Sequence, residues 1–369
     1  MCPLKTITPA EFPRGLSREA DRRALNRGAD MPGAVAQLWE QKARDMTACR
    51  LCRHACVLSP GQWGLCGVRH NKDGALYTLT AERIAAANLD PVEKKPLYHF
   101  LPGTITFSIG TEGCNFACAF CQNHELSQRV KTSHKTSGGT PVTPERIADA
   151  AKNSGAQSIS YTYSEPTIFF ELVKETSEQA ITRGLKNILV SNGYESRECL
   201  EALGPLIHAA NFDLKAFSES FYREVCNGRL GPVLDTLVLS KKLGWWVEIT
   251  TLLIPGVNDS PEEIDKLSAF IRIELGADTP WHISRYRPEY FFKAPPTPVT
   301  ALEQAAAIGR KNGLRHVYIG NVPGHHLNNT YCPVCGKPLV KRIGYHVELP
   351  KSKICPECAT ALPGMGWPE

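Results

Sequence analysis

The sequence contains no run approaching 18 apolar residues, so it offers no candidate membrane span. Its start, Met1-Cys2-Pro3-Leu4-Lys5, lacks the apolar core of a secretory signal. Arg22-Arg23 is followed by Ala24-Leu25-Asn26-Arg27, which is not a twin-arginine export pattern. Solenoid repeats and low-complexity tracts are absent, which excludes stacked-repeat and fibrous architectures. Charge of one sign is scarce as well. Lys+Arg 42 against Asp+Glu 37 leaves +5, too mild and too dispersed for a nucleic-acid footprint. Composition of 42% hydrophobic and 21% charged residues is globular, and 369 residues suit about two domains or one large barrel with appendages.

Cysteine is the residue in excess, with 14. A core of this size needs no disulfide staples, and eleven of the cysteines fall in short-range groups. Cys49, Cys52, Cys56 and Cys66 form the first, Cys114, Cys118 and Cys121 the second, and Cys332, Cys335, Cys355 and Cys358 the third. Neighbours two or three residues apart favour shared metals over long-range cross-links. Many thiols without an export signal place the chain in a reducing cytoplasm. Cys2, Cys199 and Cys226 are left as singles, the first a terminal thiol and the other two helix-face packing residues.

Four segments follow from this reading. Residues 1–45 form a polar lead with a helix near Ala34–Arg44, and 46–100 a Cys-rich metal-binding segment. Residues 101–325 carry alternating strands and helices, and 326–369 a terminal module. Strands are expected at Ile105–Ile109, Ser158–Tyr163, Asn187–Ser191, Asn211–Leu214, Trp246–Leu253, Trp281–Tyr286 and His316–Ile319. Helices are expected at Pro144–Asn153, Ile168–Thr182, Arg197–His208, Pro232–Leu243, Pro261–Leu275 and Ala301–Asn312, many with Pro starts and Gly stops. Strand followed by helix, six times over, predicts an α/β fold with a parallel barrel or doubly wound sheet, ligands gathering at the C-terminal strand ends.

The chemistry lies at those ends. Gly113-Cys114-Asn115-Phe116-Ala117-Cys118-Ala119-Phe120-Cys121-Gln122-Asn123 directly follows the first strand. Three thiolates can hold three corners of a four-iron cube and leave one iron open, and an open metal position is where a substrate or cofactor binds. A zinc site completed by His124 is the plainer reading. The C-x3-C-x2-C loop, with an aromatic before its last cysteine, resembles the radical S-adenosylmethionine (SAM) superfamily. That resemblance implies a partial (β/α)6-type barrel and a [4Fe-4S] cluster on Cys114, Cys118 and Cys121 whose free iron chelates SAM. It also implies one-electron cleavage of SAM to a 5′-deoxyadenosyl radical that abstracts hydrogen from a substrate, driven by a reducing electron donor.

By the same resemblance Tyr163-Ser164-Glu165-Pro166 receives the SAM ammonium, with Glu165 as a helix cap the plain alternative. Val190-Ser191-Asn192-Gly193 implies a ribose contact through Asn192, and Asp213-Leu214-Lys215 a contact with the SAM carboxylate region. The segment from Asp90 to Gly103, DPVEKKPLYHFLPG, is similar to the branch containing pyruvate formate-lyase activating enzyme. With the upstream cysteines, Asn321-Val322-Pro323-Gly324 and the terminal paired cysteines, the chain from about Cys49 onward resembles AmmeMemoRadiSam-system radical SAM enzymes. This implies Memo-like and AMMECR-like partners. Val190-Ser191 stands where activases carry an Asp-Thr that holds a cation, so glycyl-radical activation is an alternative by analogy.

Cys332-x2-Cys335 and Cys355-x2-Cys358, with nineteen residues between the pairs, read as a structural zinc ribbon, rubredoxin-like iron being the alternative. Cys49, Cys52, Cys56 and Cys66 suit either zinc or an auxiliary cluster, with His54 as a solvent-facing neighbour. Tyr161, His282, Arg285, Tyr286 and Arg287 are candidates for the substrate end, where two arginines suit an anionic substrate. Asn258-Asp259 follows the strand where relatives contact adenine, although a plain Pro-Gly turn explains it equally. His325-His326 reads as an exposed loop pair. A metal-stabilised binding scaffold without chemistry is the reading from another class.

Overall fold

The computed structural model describes residues 33–134 and 139–368; most of the polar lead, including Cys2, lies outside them. An eight-stranded sheet organises the chain. Its strands are β1 (Ala86–Pro91), β2 (Ile105–Gly110), β3 (Ser158–Tyr161), β4 (Lys186–Ser191), β5 (Ala209–Asp213), β6 (Trp246–Leu253), β7 (Trp281–Arg285) and β8 (Val317–Gly320), and they lie side by side in chain order. All neighbours from β2 to β8 are parallel, and only β1 runs against β2. The sheet thus begins at Ala86, inside the stretch read as the metal-binding segment.

Between the parallel strands run α1 (Pro144–Asn153), α2 (Phe170–Thr182), α3 (Arg197–Leu203), α4 (Leu230–Lys242), α5 (Pro261–Phe270) and α6 (Val299–Lys311). Local chemistry starts several of them. The side chains of Thr143, Ser196 and Ser260 accept from the backbone N–H of Arg146, Cys199 and Glu263, each satisfying a donor the first helical turn leaves open. The helix expected at Arg197–His208 stops at Leu203, because Leu206 N and Ile207 N turn back to Leu203 O.

Strand alternation separates two chemistries. Phe107, Ile159, Leu189, Phe212, Ile249 and Ile283 are fully buried or nearly so and form the apolar core with the helices. Several residues out of phase are polar though buried: Thr106 Oγ1 meets Ser160 Oγ at 2.7 Å, and Asn211 meets Thr250 at 2.9 Å, while Ile188 and Ala209 form a smaller apolar cluster on the same face. At the N-terminal strand ends Glu248 accepts from Tyr98 N, His99 N, Trp246 Nε1 and His282 Nε2 at 2.7–2.9 Å. Four donors on one carboxylate tie the 92–103 segment to this end of the sheet.

Two small antiparallel sheets precede β1. One joins Trp39–Gln41, Thr47–Cys49 and Val57–Leu58, the other Ala34–Val35, Arg69–Lys72 and Ala75–Thr78. The helix expected at Ala34–Arg44 is therefore absent; tertiary pairing overrides a weak helical pattern, and Leu38, Arg44 and Asp45 take positive φ at the bends. A last three-stranded sheet, Thr330–Tyr331, Pro338–Ile343 and His346–Glu348, carries the terminal cysteines. Its trailing segment returns to the sheet: Leu101 N donates to Met365 O and Met365 N to His99 O, at 2.8 and 2.9 Å. Among the described residues no helix is long and apolar enough to cross a membrane.

Candidate active site

The loop carrying Cys114, Cys118 and Cys121 leaves the C-terminal end of β2. It is shaped by contacts with the upstream cysteine segment. Gly113 has φ +104°, and a Cβ there would stand 2.7 Å from Val68 Cγ1 and 3.0 Å from Cys66 O. Gly67 makes the reciprocal approach, where a Cβ would lie 2.8 Å from Lys131 Cα. The sulfurs receive local donors: Phe116 N reaches Cys114 Sγ at 3.3 Å, and Ser127 Oγ lies 3.2 Å from Cys121 Sγ.

Burial raises the Cys114 and Cys121 thiols, whereas Cys118 is raised first by its hydrogen bond to Cys226 and then by burial. Metal binding here must release protons. Three thiols on one loop, with the buried and unpartnered Nε2 amide of Gln122 next to Cys121 in sequence, fit an anionic cluster whose sulfides accept N–H donors.

The other strand ends meet this loop. Glu165 follows β3, Asn192 follows β4, and Asp213 and Lys215 lie at the end of β5. Asn192 Nδ2 donates to Asn115 Oδ1 at 2.7 Å and stands 3.8 Å from Cys114 Sγ. Lys215 Nζ pairs with Asp213 Oδ2 at 2.7 Å and lies 5.8 Å from the Phe120 ring centre. Burial acts to lower the Lys215 ammonium, yet Asp213 and the Cys118 and Cys226 sulfurs hold it well above the ordinary lysine range.

Glu165 is turned inward: it accepts from Thr167 N and Oγ1, Ser191 Oγ and Asn192 N. Its carboxylate is a helix cap and a brace for Asn192, and the burial of its surroundings raises its pKa. Ser191 Oγ also lies 2.7 Å from Glu195 Oε1, so this serine is committed between two buried carboxyl groups.

Other candidates sit elsewhere. Tyr161 is buried on the helix-facing side, its OH bonded to Asn187 and Ser177. His282 is at the N-terminal strand end with Glu248. Neither reaches the substrate end, because the pleat and the strand direction place them on the wrong face and the wrong end. Arg285 Nε donates to Thr297 O, Tyr286 OH to Phe292 O, and Arg287 is an exposed partner of Glu289. Asn258 closes its own turn and bonds Lys215 O at 2.6 Å. His124 stacks on Tyr290 and faces Glu289, and His325 pairs with Glu303.

Several residues at the site carried no sequence signal. Lys131 donates to Phe116 O at 2.6 Å, close enough to feel the sulfurs of Cys66, Cys114, Cys118 and Cys121, and burial lowers its pKa. Cys226 is fully buried in the apolar core, as expected of a packing residue, and also bears on the Cys118 thiol. His54 is half-buried, with Nε2 2.9 Å from Asn115 O and its ring 4.8 Å from Tyr194, so it does not face solvent. Tyr163 OH and Lys95 Nζ converge on Asp90 at 2.6 and 2.7 Å on the polar side of the sheet. Lys95 is pushed down to about 8 by burial, against the pull of Asp90.

The terminal group is the most compact. The sulfurs of Cys332, Cys335, Cys355 and Cys358 all lie within 4.8 Å of one another, a group of four thiols that could hold one metal ion. The Thr360 hydroxyl draws the Cys358 thiol down to about 6.

A parallel α/β sheet with a three-cysteine loop and polar strand ends at one edge defines a cofactor-dependent enzyme class. The sequence pattern of the Radical SAM superfamily matches residues 108–268. An uncharacterized protein of Methanocaldococcus jannaschii is 40% identical over 330 residues, 87% of this chain and 97% of that protein. The GTP 3′,8-cyclase of Aquifex aeolicus is 26% identical over 174 residues, 44% of this chain and 51% of that enzyme. Among solved structures, Streptococcus suis SuiB bound to S-adenosylmethionine aligns with a TM-score of 0.46 at 16% identity, covering 64% of this chain and 53% of that one. The chain belongs to the radical SAM superfamily of enzymes, a membership that implies a [4Fe-4S] cluster and SAM.

Proposed function

We propose that this protein is a radical SAM enzyme of the AmmeMemoRadiSam type, with a partial barrel around its polar sheet face and Cys114, Cys118 and Cys121 as the ligands of its catalytic cluster. The observation that carries the reading is the three-thiol loop at the C-terminal end of β2, bordered by Asn192, Asp213 and Lys215. When bound, the cluster and SAM supply one-electron cleavage of the sulfonium and a 5′-deoxyadenosyl radical that abstracts hydrogen.

The chain's own residues position and shelter. Glu165 fixes Asn192 N at 2.9 Å, and Asn192 in turn holds Asn115 beside Cys114. Lys215, charged through Asp213, presents a cation near Cys118 for a carboxylate. Asp90, Lys95 and Tyr163 offer paired hydrogen-bonding groups on the polar face, where a substrate would enter.

Anaerobically reconstituted protein with a low-potential reductant is expected to release 5′-deoxyadenosine from SAM, read by chromatography. Cys118→Ala is expected to lose the central cluster and this activity while keeping the terminal metal. Wild-type protein that carries about four irons at the central site yet leaves SAM intact would overturn the proposal.

A further inference from the structure

Cys49, Cys52, Cys56 and Cys66 surround a recess bounded by Leu51, Leu58, Leu65 and Ile168. The geometry points to a second [4Fe-4S] cluster here, ligated by all four thiolates, rather than zinc.

Spacing makes the first argument. Four sulfurs on one zinc lie ~2.3 Å from it and therefore ~3.8 Å from one another. The terminal group has that compactness: Cys332 and Cys358 sulfurs are 3.4 Å apart, and Cys335 and Cys355 sulfurs 3.5 Å. Among the described residues the terminal sulfurs are gathered as ligands of one ion, and the upstream and central sulfurs are not gathered in that way. Thiolates that each hold a different iron of a cube stand farther apart than ligands of a single ion. The upstream cysteines, like those of the central loop, lack the single-ion gathering that the terminal group displays in the same chain.

Unpartnered donors make the second. Arg69 and Asn115 both line the recess and are each 1% exposed. Arg69 Nε and Asn115 Nδ2 are buried without a hydrogen-bond partner, although the other atoms of both side chains are engaged. A buried N–H without an acceptor is destabilising. A zinc ion adds no acceptor beyond its thiolates. A cube adds inorganic sulfides on its faces, and N–H donors to sulfur are a usual feature of such clusters. Arg69 Nη1 already lies 3.6 Å from Cys49 Sγ, placing a buried cation against an anionic centre. With four thiolates on four irons the site has no open position, so it exchanges electrons and does not bind SAM. This proposal does not depend on the reading of the central loop.

The test uses the full chain reconstituted anaerobically with iron and sulfide. The Cys114→Ala/Cys118→Ala/Cys121→Ala variant is expected to keep about four irons and four sulfides, to give a paramagnetic signal on reduction, and to show no spectral change with SAM. Adding Cys52→Ala and Cys56→Ala should remove that iron while the terminal metal, the marker of folding, stays. A triple variant free of iron that binds zinc upstream overturns the proposal. Mössbauer spectra of the wild type decide it without any variant. About one iron in eight should shift on adding SAM, and a total of about four irons, one of which shifts with SAM, would refute a second cluster. Failure of the central reading looks different: wild type and triple variant would then hold equal iron.

Discussion

Ser191 has one hydroxyl hydrogen and two carboxyl neighbours, Glu165 Oε1 at 2.8 Å and Glu195 Oε1 at 2.7 Å. One hydrogen cannot serve both, so Glu195 must bring its own proton. Burial first, and then the Glu165 charge, push Glu195 up to about 8 from 4.5. The folded state therefore holds a proton that the unfolded chain releases. The stabilising contribution is complete below about pH 4.5 and is lost as pH rises through about 8. Glu195→Gln, which supplies N–H in place of that proton, is expected to flatten the melting temperature between about pH 5 and pH 8. Identical pH profiles for variant and wild type would refute the shared-proton arrangement. Arg69 poses a different buried-charge problem, paired with Glu171 at 2.5 Å with both side chains nearly inaccessible. Arg69→Ala should cost roughly 3–5 kcal/mol in denaturant unfolding, because it strands the Glu171 carboxylate. Neither arrangement was legible in the sequence, since Arg69 and Glu171 are 102 residues apart and Ser191 gives no local sign of its neighbours.

At the scale of elements the sequence was far more informative. Every strand expected from Ile105 onward is present within a residue or two, because buried parallel strands punctuated by Gly and Pro carry their own boundaries. The short strands before β1 were missed for the complementary reason: segments of two to four residues are defined by partners and leave little periodicity. The Cys114–Cys121 spacing announced a metal site, but not the five-residue turn Tyr222–Cys226 that packs on it, where Ala117 N and Ala119 N donate to Cys226 O and Val225 O. Cys226 thus lies against Cys118. Cys226→Ser is expected to retain the central iron within error while shifting its reduction midpoint, whereas Cys118→Ala loses the iron. Equal iron loss in both variants, measured by metal analysis, would show that Cys226 is itself a ligand.

Across the whole molecule the two ends of the described chain converge on the sheet from opposite sides. The upstream cysteines press on the C-terminal strand ends through Gly67 and Gly113, while the terminal module stitches Met365 to His99 and Leu101 near the N-terminal ends. Arg342 reinforces that seam, its guanidinium 4.0 Å from the Tyr98 ring centre and bonded to Tyr98 O. Cys355→Ser should therefore release one metal and also lower the melting temperature of the sheet, with raised amide exchange at residues 98–101. An unchanged exchange pattern would mean that the module is mechanically independent. The period-two division along the strands has a consequence for diversification. One residue in two, Phe107, Ile159, Ile249 and their like, belongs to the helix interface and is costly to change. The alternate positions include polar residues such as Ser108, Ser160 and Thr250, beside a smaller apolar cluster at Ile188 and Ala209. The same frame can thus be refitted to a new molecule by varying a polar alphabet printed on one face.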